Sequence, residues 1–189
     1  MMEAFTDRHT IQKLALRMKQ GDLVAASRVY ELLMRQTYGF YVSRIRDREH
    51  AQDLTQDVFM RLVRSIQQYD ASKGDFVVWY WKMVRNMLID FFRKGKTSAI
   101  TDIESLPESA IPAGDKDVTE ELDEKNRRSL LYECLQGLEE EERELFELRF
   151  ISELPYSDIA AIVGKNEGAL RVAVNRIKKK LEAIVKDHT

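Results

Sequence analysis

The sequence predicts an all-α protein made of two small helical domains joined by an acidic linker, with a helix-turn-helix in the C-terminal domain. Glycine and proline are scarce, at 8 and 3 among 189 residues, so long stretches hold no residue that would break a helix. Apolar residues recur at spacings of three and four, the period of an α-helix. The composition changes near residue 97, which separates two helical stretches.

The first domain, residues 1–96, begins with two predicted helices. Apolar residues spaced by three and four mark the first helix over residues 10–19. Gly21 ends this pattern, and the carboxylate of Asp22 can accept the free N–H groups at the start of the next helix. That second helix is predicted over residues 23–45.

The same domain continues with an aromatic-rich half. A helix over residues 50–67 is followed by a polar loop over residues 69–75. The next helix, residues 76–93, carries the rings of Phe76, Trp79, Tyr80, Trp81, Phe91 and Phe92. A small helical domain needs large buried side chains, so we expect most of these rings in the core and one or two on the surface.

Residues 97–119 differ in composition from the helical stretches on either side. They contain Pro107 and Pro112 and few large apolar residues, which is typical of a linker. Their acidic residues outnumber the single lysine, Lys116, and are Asp102, Glu104, Glu108, Asp115 and Asp117. The segment is therefore predicted to be an acidic, solvated spacer.

The second domain, residues 120–189, is predicted to be helical throughout. Its helices are expected over residues 121–136, 139–151, 155–163 and 167–186. Pro155 is compatible with the first turn of the third of these, where its missing N–H costs nothing. Gly164 begins a tight turn before the last helix. A short apolar helix, a glycine turn and a longer basic helix together outline a helix-turn-helix.

The last helix has an apolar and a basic face. The apolar stripe, predicted to pack on the preceding helix, comprises Leu170, Val174, Ile177, Leu181 and Ile184. The other side carries the candidate DNA-binding residues Arg171, Asn175, Arg176, Lys178 and Lys179. Such a helix fits the major groove, where Arg can bridge guanine, Asn can bridge adenine and Lys can bind phosphates. A basic helix that merely faces solvent is the alternative for this segment taken alone.

The aromatic-rich helix is a second candidate nucleic-acid surface. Its rings are interleaved with the polar and cationic side chains of Lys82, Arg85, Asn86, Arg93, Lys94 and Lys96. Binding of single-stranded DNA needs flat rings that stack on unpaired bases and cations that hold the backbone. The alternative, that the rings serve only the core, holds for most of them.

Charge and composition narrow the classes of function. The formal net charge of −2 argues by itself against nucleic-acid binding, but residues 171–180 are strongly basic and residues 139–147 strongly acidic, and local patches decide binding. The single cysteine, Cys134, cannot form an internal disulfide, which predicts a cytosolic protein. We find no nucleophile–base pair, metal-ligand set or phosphate-binding glycine loop, so we expect neither catalysis nor a cofactor.

Three segments resemble sigma factors of the extracytoplasmic-function type, which belong to the sigma-70 family. Residues 51–59 read AQDLTQDVF, similar to the segment with which these factors bind RNA polymerase. Residues 79–93 resemble their promoter-melting helix, and residues 138–181 contain LRF, DIAAIVG and EGALR, similar to their second DNA-binding module. The order and spacing of these motifs carry the resemblance, which covers about residues 23–93 and 130–184.

The resemblance implies roles for matching positions. Docking on the polymerase is implied for Asp53, Gln56, Asp57 and Phe59. Recognition and melting of the −10 element are implied for Ser72, Lys73, Asp75, Trp79, Lys82, Arg85, Asn86 and Arg93. Contact with the −35 element is implied for the basic face of the last helix, where Val172 and Ala173 replace the usual Ser and Arg.

The implied partners are the β and β′ subunits of the RNA polymerase core, promoter DNA and, as is common in the family, an anti-sigma factor. Cytoplasmic location without membrane insertion is expected. An ordinary helix-turn-helix repressor or activator acting without core polymerase is the alternative, and it accounts equally well for residues 155–181. It does not account for residues 51–59 or for the aromatic-rich helix. A helical adaptor that binds only proteins is a third possibility.

Overall fold

The computed structural model describes residues 8–45, 47–98, 135 and 137–187, and within these ranges it contains α-helices, one 3-10 turn and one π-helical turn. The α-helices are α1 (Arg8–Lys19), α2 (Leu23–Val42), α3 (Arg48–Ser65), α4 (Phe76–Ser98), α5 (Glu140–Phe146), α6 (Tyr156–Val163) and α7 (Glu167–Asp187). No β-strand occurs in the described residues. The predicted all-α class is therefore confirmed.

The four helices α1–α4 form the N-terminal module. Asp22 caps α2 as predicted, since its Oδ1 accepts the Ala25 N–H at 3.0 Å. Helix α2 ends at Val42, earlier than predicted, and α3 begins after Asp47, which accepts the His50 N–H in the same way. Helix α3 gives way to the 3-10 turn Ile66–Gln68. Local capping by short acidic side chains thus sets where these helices begin.

Aromatic side chains fill the core of this module. Phe76, Tyr80 and Trp81 of α4 are completely buried, and the ring of Trp81 meets that of Phe40 edge to face at 5.6 Å. The buried Tyr80 hydroxyl lies 2.8 Å from Thr37 Oγ1, so its polar group is not left without a partner. The expected location of most rings of this helix is confirmed.

The three helices α5–α7 form the C-terminal module. The helix predicted over residues 139–151 is confirmed, but its second half changes at Glu147–Ile151 into a π-helical turn. In this turn the Ser152 N–H donates to the Glu147 carbonyl at 2.9 Å. Pro155 is the N-cap residue of α6, one position before the predicted one. Gly164 ends α6 with a φ of 71°, a left-handed conformation that favours glycine.

Some predicted features lie outside the described residues. They include Cys134, the helix over residues 121–136 except for Leu135, and the linker beyond Ser98. Helix α4 includes Thr97 and Ser98 and so extends two residues into the predicted linker range.

The two modules pack directly on each other. Helix α4 lies against α6, and α2 lies against the π-helical turn. The contact at α2 is close, because a methyl group placed on Gly39 would lie 3.0 Å from Ile151 Cγ2. Buried apolar side chains of both modules form one cluster.

Candidate nucleic-acid interface

Helix α7 is oriented by its apolar stripe. Leu170, Val174 and Ile177 are buried, together with Ile159 and Ile162 of α6. Because these positions are spaced by three and four, their burial turns the opposite side of α7 outward. Asn166 fixes the start of the helix, since its Oδ1 accepts the Gly168 N–H at 2.8 Å.

The outward side of α7 holds all the residues predicted to bind the −35 element. The exposed side chains are Arg171, Asn175, Arg176, Lys178 and Lys179. Arg171 is tied down, because it donates to Glu167 Oε1 at 2.5 Å and lies 4.7 Å over the ring of Tyr156. Val172 lies among them and is 70% exposed. The face therefore combines cations and one amide with an exposed apolar side chain.

The loop before α4 is ordered by acidic side chains. Asp70 accepts the Ser72 hydroxyl at 2.7 Å and the Ser72 N–H at 3.0 Å, which leaves Ser72 and Lys73 exposed at the tip. These hydrogen bonds hold the pKa of Asp70 below its usual value. At the loop's end, Asp75 accepts the Val77 N–H at 2.8 Å at the beginning of α4.

Along α4, Lys82, Asn86 and Arg93 are exposed, whereas Trp79 is half-buried, its ring 5.4 Å from that of Tyr69. Arg85 is different. Its Nε and Nη2 donate to the two carboxylate oxygens of Glu144 in α5, at 2.7 and 3.1 Å. The structure thus places one predicted promoter-melting residue in the contact between the modules.

Helix α3 presents a third surface. Asp53, Gln56 and Asp57 are exposed on it, whereas Phe59, for which a contact with the polymerase is predicted, is buried. Phe59 is only 8% exposed and its ring packs edge to face on Tyr30 at 4.7 Å. The sequence reading overlooked the neighbouring Met60, which is 53% exposed. The helical period signals it, because Met60 lies three and four positions after Asp57 and Gln56.

A buried ionic cluster, also missed by the sequence reading, joins α2 to the C-terminal module. Glu147 is completely buried and accepts hydrogen bonds from Arg44 Nε at 2.5 Å, Arg143 Nε at 3.1 Å and Ser43 Oγ at 3.0 Å. Burial raises the pKa of the Glu147 carboxyl above its usual 4.5, against the opposing effect of the two guanidinium groups. Arg44 also bonds Glu140, and Arg143 donates to the Ser43 carbonyl.

Arg8 makes a further link between the modules. Its Nη2 lies 2.8 Å from Asp158 Oδ1 in α6 and 3.4 Å from Asp75 Oδ1 in the loop before α4. Asp158 is 3% exposed, and burial raises the pKa of its carboxyl above 3.8. A residue of the predicted −10 loop and the helix-turn-helix therefore share one cation.

Neither a metal cluster nor a spanning helix is seen in the part of the chain that the structure describes. No group of three or more His, Cys, Asp or Glu side chains is arranged there to hold a metal ion. None of the helices there has the length and apolar character needed to cross a bilayer.

Comparison with known families gives two matches along the chain. The family model described as Sigma-70 region 2 matches residues 29–97, and the one described as Sigma-70, region 4 matches residues 128–181. The first match includes α3, the loop and α4, and the second includes α5, α6 and most of α7. The candidate surfaces described above therefore fall inside the matched segments.

Individual proteins are similar over most of their length. The ECF RNA polymerase sigma factor SigM of Bacillus subtilis is 30% identical over 161 residues, which are 82% of this chain and 92% of that protein. The ECF RNA polymerase sigma factor BldN of Streptomyces coelicolor is 26% identical over 186 residues, which are 97% of this chain and 69% of that protein.

Two solved structures share the fold. CnrH, solved in complex with the cytosolic domain of CnrY, superposes with a TM-score of 0.67 at 18% identity, covering 95% of this chain and 99% of that one. The sigma factor RpoE of Bartonella quintana, solved with the anti-sigma factor NepR, gives a TM-score of 0.64 at 23% identity, covering 85% and 96%. The chain belongs to the extracytoplasmic-function RNA polymerase sigma factors of the sigma-70 family.

Proposed function

We propose that this sigma factor directs core RNA polymerase to promoters through three separate surfaces and starts promoter melting. Helix α7 reads the −35 element, the loop before α4 and α4 itself bind the melted −10 element, and α3 docks on the polymerase. The observation that carries the proposal is the outward row of cations and one amide on α7, a rigid helix whose other side is buried.

Reading of the −35 element divides between specific and non-specific contacts. Asn175 can bridge adenine, and Arg171 or Arg176 can bridge guanine, through paired hydrogen bonds in the major groove. Lys178 and Lys179 supply contacts to phosphates, which set affinity but carry no sequence information. The exposed methyl groups of Val172 offer an apolar contact to a thymine methyl group.

Melting of the −10 element uses α4 and the loop before it. Ser72, Lys73 and Asp75 lie where a base turned out of the duplex can be hydrogen-bonded. Along α4, the exposed Lys82, Asn86 and Arg93 provide polar and cationic groups on the same helix as the ring of Trp79. Turning out a base costs a few kcal/mol of unstacking, which stacking and hydrogen bonds to the protein can offset.

Docking on the polymerase is assigned to α3. Its carboxylates Asp53 and Asp57 and the amide of Gln56 form a polar face beside the exposed Met60. We assign this face to the β′ subunit and the C-terminal module to the β subunit. We retain the proposed division into an N-terminal domain, an acidic linker and a C-terminal domain, with α4 reaching two residues into the predicted linker range of 97–119.

The chain acts by binding and not by catalysis, and it does so in the cytoplasm where the polymerase works. An anti-sigma factor is proposed as a regulatory partner, because CnrH and RpoE were both solved with a protein bound, which for RpoE is the anti-sigma factor NepR. The two modules joined by a tether need not bind DNA tightly alone, because the polymerase supplies the geometry that brings both elements within reach.

The test is transcription with purified core polymerase on a promoter library, each promoter being supplied both as duplex and with a pre-melted −10 segment. We expect the chain to stimulate transcription from a subset of promoters. Substitutions in α4 should reduce this stimulation less on promoters whose −10 segment is already melted. Absence of stimulation on every promoter would refute the proposal. Tight duplex binding without association to core polymerase would instead favour a repressor or activator.

A further inference from the structure

We infer that α5 of the C-terminal module is an internal competitor of promoter DNA, because its Glu144 carboxylate occupies Arg85 of α4 when the two modules are packed together. The inference rests on the proposed function, since it concerns the same α4 surface. It adds a regulatory contact formed by the chain itself.

The acidic residues of α5 have ion-pair partners in both modules. Glu144 binds Arg85 through both carboxylate oxygens, and Glu140 binds Arg44. Their spacing of four residues places them on one side of the helix, and Glu147 continues that side into the cluster around Arg44. Glu141 and Glu142 instead pair within their own module, with Lys165 and Lys180 respectively.

The chemistry of these contacts matches that of a phosphate. A guanidinium group binds carboxylate and phosphate through the same paired geometry, so Glu144 holds Arg85 as a DNA phosphate would. Arg85 lies next to Asn86 and three positions after Lys82 on α4, both of which remain exposed. Glu144 occupies Nε and Nη2, the edge of the guanidinium through which a phosphate would make the same paired hydrogen bonds. Release of Glu144 must therefore accompany paired binding of a phosphate of the melted strand at that edge.

Apolar packing between the modules holds α5 close to the arginines of the N-terminal module. Helix α6 lies on α4, and Ile151 approaches the bare backbone of Gly39 in α2. At the far side of this contact, Arg8 holds Asp158 of α6 together with Asp75 of the −10 loop. The packed form therefore restrains two of the residues assigned to the −10 element.

The third surface is left accessible in the packed form. Asp53, Gln56 and Asp57 of α3 are exposed, so the polymerase can dock while the α4 surface is still occupied. When a ligand binds only the open form, its apparent affinity is reduced in proportion to the fraction of chains that are open. A partner that holds the modules apart removes this reduction. DNA binding by the free chain should therefore be weaker than the α4 surface alone would allow.

The experiment uses the full chain with Cys134→Ser and spin labels on cysteines introduced at Arg64 and Glu182, which are both exposed. Pulsed electron–electron double resonance measures the distance between the two spin labels, one on each module. Fluorescence anisotropy measures affinity for a pre-melted −10 oligonucleotide. Glu144→Gln releases Arg85, and Glu141→Gln is the matched control, because it removes one charge from the same helix at a pair internal to the C-terminal module. Gly39→Leu separates the modules without a change in charge.

We expect Glu144→Gln and Gly39→Leu both to lengthen the distance between the labels and to raise affinity for the oligonucleotide. For Glu144→Gln the gain should be about two- to fivefold, the size expected for loss of one partly exposed ion pair. Glu141→Gln should change neither. Parent-like distance and affinity in both Glu144→Gln and Gly39→Leu would overturn the inference, as would an equal gain in Glu141→Gln. Failure of the proposed function looks different, because no variant, open or closed, would then support transcription with core polymerase.

Discussion

At the scale of single residues, short polar side chains at helix ends determine where the helices start. Asp22, Asp47 and Asn166 each accept backbone N–H groups that have no partner within the helix. Such contacts are local in sequence, which is why the Asp22 cap could be predicted. The burial of Phe59, in contrast, could not be predicted from local sequence. The helical period shows which residues share a face, but it does not show which of two neighbouring faces packs against the rest of the protein.

Asp22 provides a test of capping through its pH dependence. The Ala25 N–H, and then Arg17, hold the pKa of Asp22 below 3.8. Since the folded pKa is the lower one, the stabilisation is fully present above pH 3.8 and is lost as the pH falls through the folded pKa. Asp22→Asn keeps the acceptor without the titration, so its thermal midpoint should depend less on pH over that window, whereas Asp22→Ala should lower the midpoint at neutral pH. Circular dichroism melts of the three proteins check this, and equal acid sensitivity of Asp22→Asn and the parent would contradict it.

At the scale of the helices, α3 and α7 show how one buried face fixes the direction of the other. Burial of Leu170, Val174 and Ile177 turns the basic side of α7 outward, and burial of Phe59 places Met60 on the surface. The functional residues proposed here occupy the sides that packing leaves free. Mutations on the two sides of one helix should therefore have separable effects on stability and binding.

For α3, Phe59→Ala should lower the free energy of unfolding by about 3–5 kcal/mol, because it leaves a cavity beneath Tyr30. Met60→Ala should leave stability within about 0.5 kcal/mol, since Met60 is exposed, yet weaken association with core polymerase. Urea unfolding and a pull-down with purified core separate these outcomes. A Met60→Ala protein that binds core like the parent would remove Met60 from the docking face.

For α7, Asn175→Ala and Lys179→Ala should differ in kind. Loss of a base contact by Asn175 should cost about 1–3 kcal/mol on the preferred −35 sequence and relax selectivity at one position. Loss of a phosphate contact by Lys179 should weaken binding to all sequences alike and reduce the salt slope by about 1. Binding of holoenzyme to a set of −35 variants at several salt concentrations checks both, and sequence-dependent losses in Lys179→Ala would reverse the assignment.

At the scale of the whole molecule, the two modules share charged groups as well as apolar surface. Glu147 carries the most buried of these contacts, with Arg44 from the turn after α2 and Arg143 from its own module. A buried charge is costly when its partner is removed, whereas replacing the whole group by apolar side chains costs little. The main effect of the cluster is therefore to fix how the two modules pack, and its net contribution to stability is small.

Glu147 provides a test of this buried pairing. Glu147→Ala should lower the free energy of unfolding by about 3–5 kcal/mol, because Arg44 and Arg143 lose their buried partner. The double variant Arg44→Met with Glu147→Met should lose much less. Guanidinium unfolding of the full chain measures these free energies, with the single variants Arg44→Met and Glu147→Met for comparison. A loss in the double variant equal to the sum of the two single losses would show that the two residues do not act as a pair.

The sequence by itself determined the all-α class, the aromatic core of the N-terminal module, the helix–turn–helix outline and the outward basic side of α7. These features depend on periodicity, on caps and on glycine at Gly164, all of which act within a few residues. It also indicated the family, through the order and spacing of three motifs along the chain.

Only the tertiary structure decided which side chains meet across the chain. Arg85 and Glu144 are 59 residues apart, and Arg44 and Glu147 are 103 apart, so no local pattern relates them. The π-helical turn at Glu147–Ile151 likewise has no periodic signal, and it coincides with the contact that buries Glu147 against α2. Pairing over such separations depends on how whole helices pack, because a carboxylate reads as a solvated surface group until another module covers it.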